Sequence, residues 1–128
     1  MLESLDFLYV PSADPDGAAT RCVEGLGGTL VWRIAEMGAV VSAVRVSVDG
    51  PLVLFADHLD SETAIPIYRV GDLAAALGRL GATGAVEIRR LEIPPGPCAT
   101  FSIAGSRLGV YELTRPHAQE RLSARGGS

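Results

Sequence analysis

Apolar and polar positions switch between a two-residue and a helical period along this chain, and the switches come in the same order twice. Residues 5–10 read as a strand, with Phe7 and Tyr9 on one face and Leu8 and Val10 on the other. Turn residues follow from Pro11 to Gly17. Within them Asp14 is placed to cap a helix over residues 15–25, with Pro15 at its first position and Gly27-Gly28 as its stop. Strands are predicted over 29–34, 40–48 and 52–57, with Asp49-Gly50 as a hairpin signal between the last two. The second pass predicts a strand over 64–70 and a helix over 73–80, opened by Gly71-Asp72 and stopped by Gly81. Strands follow at 86–90, 98–103 and 108–113, the last two joined by a tight turn at Ala104-Gly105-Ser106. The polar segment from Pro116 to Ser128 is expected to fray.

The repeat is also visible in residue identity. Leu26-Gly27-Gly28-Thr29 closes the first predicted helix, and Leu80-Gly81-Ala82-Thr83 closes the second. A period of roughly 55 residues gives two β-α-β-β-β modules, about 1–60 and 61–116, in one domain over 1–116, with 117–128 as a tail. Without a parallel-crossover pattern this order argues α+β rather than a doubly wound sheet.

Composition narrows the class. Apolar residues make up 48% of the 128, and the mean hydropathy is +0.28, so the chain is globular and rather rich in apolar surface. Such a surplus is usually hidden in a ligand pocket or between subunits, and both a pocket and a homodimer are expected. The longest apolar stretches fall far short of the ~20 residues that span a bilayer, and Met1-Leu2-Glu3-Ser4 has no basic signal-peptide region. Two cysteines, Cys22 and Cys98, are too few for a disulfide framework, so a cytoplasmic protein with free thiols and no membrane partner is expected. The net charge is −4, and all 11 basic residues are arginine. They form no basic stripe, which argues against nucleic acid, and the lack of lysine excludes Schiff-base chemistry on a lysine.

The order of elements, together with particular residues, resembles the vicinal oxygen chelate superfamily of glyoxalases, bleomycin-resistance proteins and extradiol dioxygenases. The anchors are residues 5–10 followed by Asp14-Pro15-Asp16, then Glu24-Gly25-Leu26-Gly27-Gly28, then residues 68–77 from Tyr68 to Leu77. Gly105, Tyr111-Glu112-Leu113 and Pro116 complete the set. The resemblance implies curved, mostly antiparallel sheets around a cavity, two helices outside, and a small-molecule ligand. In metal-dependent members one ligand comes from each of four strands. Those positions correspond here to Phe7, Leu54, Ile65 and Gly109, none of which offers a donor atom from its side chain. Neither a metal nor another cofactor is therefore expected. Arg21-Cys22 stands where the family usually has Phe-Tyr, and the turn before the last strand is shortened.

Candidate site residues follow from strand parity and from the resemblance. Phe7, Tyr9 and Tyr111 fall on the cavity face, with Trp32 as a further aromatic; each could line a pocket or simply pack the core. Leu54, Ile65, Ile67 and Gly109 would complete an apolar wall. Arg69 and Arg107 share that face, where an inward arginine needs a protein carboxylate or a bound acid. His58, in Asp57-His58-Leu59-Asp60-Ser61-Glu62, lies where the modules join, either in a solvated linker or at the cavity rim. No nucleophile motif stands out. The leading expectation is a metal-independent protein that sequesters an apolar or aromatic ligand in a dimer pocket and does no chemistry. The alternatives are a metal-dependent enzyme of the superfamily or a cofactor-free isomerase or lyase, with His58 or a carboxylate as base.

Overall fold

Two aspartates start the two helices. The Asp14 carboxylate accepts from the Gly17 backbone N–H at 3.1 Å, and Asp72 accepts from that of Ala75 at 3.0 Å. The computed structural model describes residues 2–36, 38–59 and 62–116, so the expected fraying of 117–128 lies outside the described residues. In the first module β1 (Leu2–Pro11) leads to α1 (Pro15–Leu26), β2 (Thr29–Glu36), β3 (Ala39–Arg45) and β4 (Leu52–Ala56). In the second, β5 (Ile65–Val70) leads to α2 (Leu73–Ala82), β6 (Val86–Ile93), β7 (Gly96–Ile103) and β8 (Ser106–Glu112). Gly27 ends α1 in the left-handed conformation, φ 71°, as the double glycine implies.

The strands form one curled sheet in the order β2-β3-β4-β1-β5-β8-β7-β6, an α+β half-barrel. The modules meet at the antiparallel pair β1–β5, with Phe7 opposite Ile67 and Tyr9 opposite Ile65. The parallel pairs β1–β4 and β5–β8 occupy equivalent places on either side of that junction. The remaining neighbours pair antiparallel.

Some predicted boundaries move. β3 ends at Arg45, opposite Leu52, so Val46 and Val48 are exposed and Asp49-Gly50 sits in a longer loop rather than a two-residue turn. β6 and β7 run further than expected and are joined at Pro94-Pro95. Proline lacks an N–H and is tolerated there because the turn needs no ladder hydrogen bond. The turn at Ala104-Gly105 has positive φ at both residues, 50° and 84°, the form that matches the twist of a hairpin.

Both helices pack on one face of the sheet. On that face Val70, Leu73, Ala76, Leu77, Phe101 and Val110 form the core under α2. The opposite, concave face carries a larger apolar cluster that spans both modules, and the candidate site lies there.

Candidate functional site

Strand alternation brings most of the expected site residues together. Phe7, Tyr9, Trp32, Leu54, Ile65, Ile67 and Tyr111 all belong to the concave cluster, and each is at most 4% exposed. The Phe7 and Tyr111 rings meet across the module junction, centroids 5.0 Å apart and tilted by 58°. Burial pushes the Tyr9 phenol above its ordinary range, with a smaller contribution from Cys98. The Cys98 thiol is itself pushed up to about 12 by burial, so it stays protonated and inert near neutrality.

The four positions equivalent to metal ligands are neighbours. Phe7 and Gly109 both flank Ile67 in the register, while Leu54 and Ile65 both flank Tyr9. They do not fit a metal. Their side chains supply no donor, and the space a side chain at Gly109 would occupy is filled by Cδ1 of Ile67. Among the described residues no three His, Cys, Asp or Glu side chains gather as a metal site would need.

Polar chemistry is concentrated at one end of this face, in a recess of about 230 Å³ whose walls include Asp6, Phe7, Arg45, Asp49 and Tyr111. The Tyr111 hydroxyl donates to Asp6 Oδ2 at 2.5 Å, and the Ser4 hydroxyl donates to Asp6 Oδ1 at 2.6 Å. Arg69 Nε lies 3.3 Å from Asp6 Oδ2, close enough to pair electrostatically but without the geometry of a hydrogen bond. Burial first, and then the Asp6 carboxylate that accepts its proton, raise the Tyr111 phenol above its ordinary range. Tyr111 therefore remains a hydrogen-bond donor at ordinary pH. Arg45 and Asp49 stand exposed at the rim, and no ion pair joins Arg45 to any described residue.

Asp6 is the residue that alternation misplaces. By parity it belongs with Leu8 and Val10 on the helix-bearing face. The register, however, shifts twice along β1, from Leu2–Val70 to Ser4–Arg69 and from Leu5–Tyr68 to Phe7–Ile67, and the extra residue at the second shift is Asp6. The bulge lets its carboxylate meet Tyr111 and Arg69 from β8 and β5. No short-range sequence signal marks it, since Ser4 and Asp6 look like ordinary polar positions of a strand.

Of the other expected residues, Arg69 reaches Asp6, whereas Arg107 and His58 fall elsewhere. Arg69 does find the protein carboxylate that an inward arginine requires. Arg107 is held within its own module, donating to Thr100 Oγ1 at 2.6 Å, Ser102 Oγ at 3.2 Å and the Glu87 carbonyl at 2.9 Å. His58 is exposed and stands edge-on to Tyr9, centroids 6.5 Å apart, away from the Asp6 recess.

A curled sheet made of two β-α-β-β-β modules is the fold that the likeness to the vicinal oxygen chelate superfamily implied, and that likeness holds at the level of the fold. The chain is similar in structure to a methylmalonyl-CoA epimerase from Mycobacterium tuberculosis, with a TM-score of 0.74 and 19% identity over 91% of this chain and 92% of that one. It is also similar to a Streptomyces coelicolor methylmalonyl-CoA epimerase in complex with 2-nitronate-propionyl-CoA, with a TM-score of 0.67 and 13% identity over 89% of this chain and 96% of that one. A hypothetical protein from Bacillus halodurans C-125 has a TM-score of 0.64 and 11% identity over 85% of this chain and 93% of that one. No family model and no curated protein matches the chain. The comparisons correct the expectation of a sequestering protein that does no chemistry: the named neighbours of this fold are enzymes, which favours the isomerase alternative. No helix among the described residues is long and apolar enough to cross a membrane.

Proposed function

We propose that this protein is an isomerase that moves a proton at the carbon beside a carbonyl of a small acyl compound, using Asp6, Tyr111 and Arg69. The observation that carries the reading is the Tyr111–Asp6 hydrogen bond in a polar recess of an otherwise apolar face. Asp6 takes the proton as the C–H bond breaks, and the electron pair moves onto the carbonyl oxygen. The Tyr111 hydroxyl turns from Asp6 to hydrogen-bond that oxygen as its negative charge develops. Arg69 keeps the site from accumulating uncompensated negative charge; the planar enolate carbon then turns its opposite face to Asp6, and the proton returns from Asp6 to that face, so the configuration inverts. No step passes through the four apolar positions. Arg45 at the rim, which pairs with no described residue, favours an acyl compound that also carries an anionic group. The epimerase neighbours support an acyl thioester as the first class to try. A small-molecule partner, a homodimer and a cytoplasmic setting belong to the same reading.

The test is incorporation of solvent deuterium beside the carbonyl of methylmalonyl-CoA and related thioesters, read by mass spectrometry. Asp6→Asn and Tyr111→Phe should each slow exchange by about 100-fold or more, whereas His58→Gln should leave it unchanged. Exchange that survives Asp6→Asn, or none in the folded protein across the panel, would sink the proposal.

A further inference from the structure

A second recess lies on the other face, between α2 and the sheet. It has a volume of about 240 Å³. Its floor is Tyr68, Phe101 and Leu108, and its helix wall is Ala76 and Leu80. The cause is in the sequence of α2. Leu73, Ala76, Leu77 and Leu80 face the sheet, and the single methyl of Ala76 cannot fill the space that a leucine would. Water in such a cleft finds few hydrogen-bond partners, so methylene groups displace it favourably. The rim is not apolar. Arg79 lines the mouth, is exposed, and forms no ion pair with any described residue. The matching groove under α1 also has an arginine, Arg33, but that one is bound in two hydrogen bonds by Asp16.

We propose that the α2 cleft binds a straight-chain monocarboxylate, with its chain between the helix and the sheet and its carboxylate on Arg79. An apolar channel requires the chain. The Arg79 guanidinium at its mouth, which pairs with no described residue, selects an anionic head over a neutral or cationic one. This site is separate from the Asp6 recess and does not depend on the reaction proposed there.

The full chain should be titrated with octanoate, decanoate and decanol below their aggregation concentrations, with binding followed by amide chemical shifts. Saturable shifts are expected around Leu80 and Phe101, with decanoate binding about 15-fold tighter than octanoate because each buried methylene contributes about fourfold. Arg79→Gln should weaken decanoate about tenfold and leave decanol unchanged. Ala76→Leu, which fills the cleft, should abolish binding of both. The proposal is overturned if no saturable shift occurs, if decanol binds the unaltered chain as tightly as decanoate, or if the shifts map to Phe7, Tyr9 and Trp32. Should Ala76→Leu fail to fold, Arg79→Gln, a change at an exposed side chain, still decides the outcome.

Discussion

The two modules repeat one order of elements, yet they fasten their helices by different physics. Under α1, Asp16 Oδ1 accepts from Arg33 Nε at 2.7 Å and from the buried Ser42 hydroxyl at 3.0 Å, while Arg33 Nη2 donates to Oδ2 at 2.9 Å. Under α2 the contact is mainly apolar, carried by Leu73, Leu77, Phe101 and Val110, with one polar tie in which the Leu73 backbone N–H donates to Glu112 Oε1 on β8 at 2.8 Å. An exposed ion pair loses much of its attraction to solvent and salt, whereas apolar burial does not. The concave face shows a second asymmetry. Where the two modules pair with each other, β1 carries the extra residues, Asp6 among them, and β5 carries none, so Arg69 of β5 lies beside Tyr111 of β8 and faces the Asp6 carboxylate. A duplicated fold thus acquires its polar site from the place where its halves differ.

The sharpest test of the first contrast is Phe101→Ala. It should cost about 3–5 kcal/mol in urea unfolding, a large part of a small domain's stability. A loss below that of any change in the Asp16 cluster would reverse the ranking of the two modules. Gly109→Ala comes next, at about 1–3 kcal/mol, because the added methyl meets Cδ1 of Ile67. Combining it with Ile67→Val should recover part of that loss, and simple additivity of the two changes would show that Ile67 does not fill the Gly109 position.

Tyr111→Phe should cost about 1 kcal/mol, since it removes one hydrogen bond to Asp6 while keeping the ring against Phe7. An unchanged midpoint would mean that solvent replaces the phenol at no cost. The smallest effect is expected at Arg33. Its hydrogen bonds are the largest influence on the Asp16 carboxyl and hold it below its ordinary range; burial opposes them in part, and the Ser42 hydrogen bond adds a smaller lowering. A lowered folded-state value adds stability above about pH 4, which is lost as pH falls through that value. Arg33→Gln should therefore flatten the acid limb of the stability curve, and high salt should erase the difference from the unaltered chain. A difference that persists in high salt would point to packing rather than charge.

The expected concave face was legible because strands alternate: Phe7, Tyr9, Ile65, Ile67 and Tyr111 all lie where parity puts them. The helix starts were legible because capping is local, with Asp14 and Asp72 three residues before the N–H groups they accept. Arg69 and Arg107 were placed on a face by the same rule, but their partners lie on other strands, and no spacing along the chain reveals a partner 63 positions away from Arg69.

By itself the sequence determined the two modules, the order of their elements, the apolar character of the four strand positions and the residues that start and stop the helices. All of these depend on neighbours within a few residues, where steric and hydrogen-bonding preferences act directly. Only the tertiary structure decided that Asp6 turns towards Tyr111, that Ile67 occupies the space beside Gly109 and that Ala76 leaves a cleft under α2. A bulge is set by how two strands register against each other, and a void by what fails to reach it from across the core; neither quantity is carried by the residues of one segment.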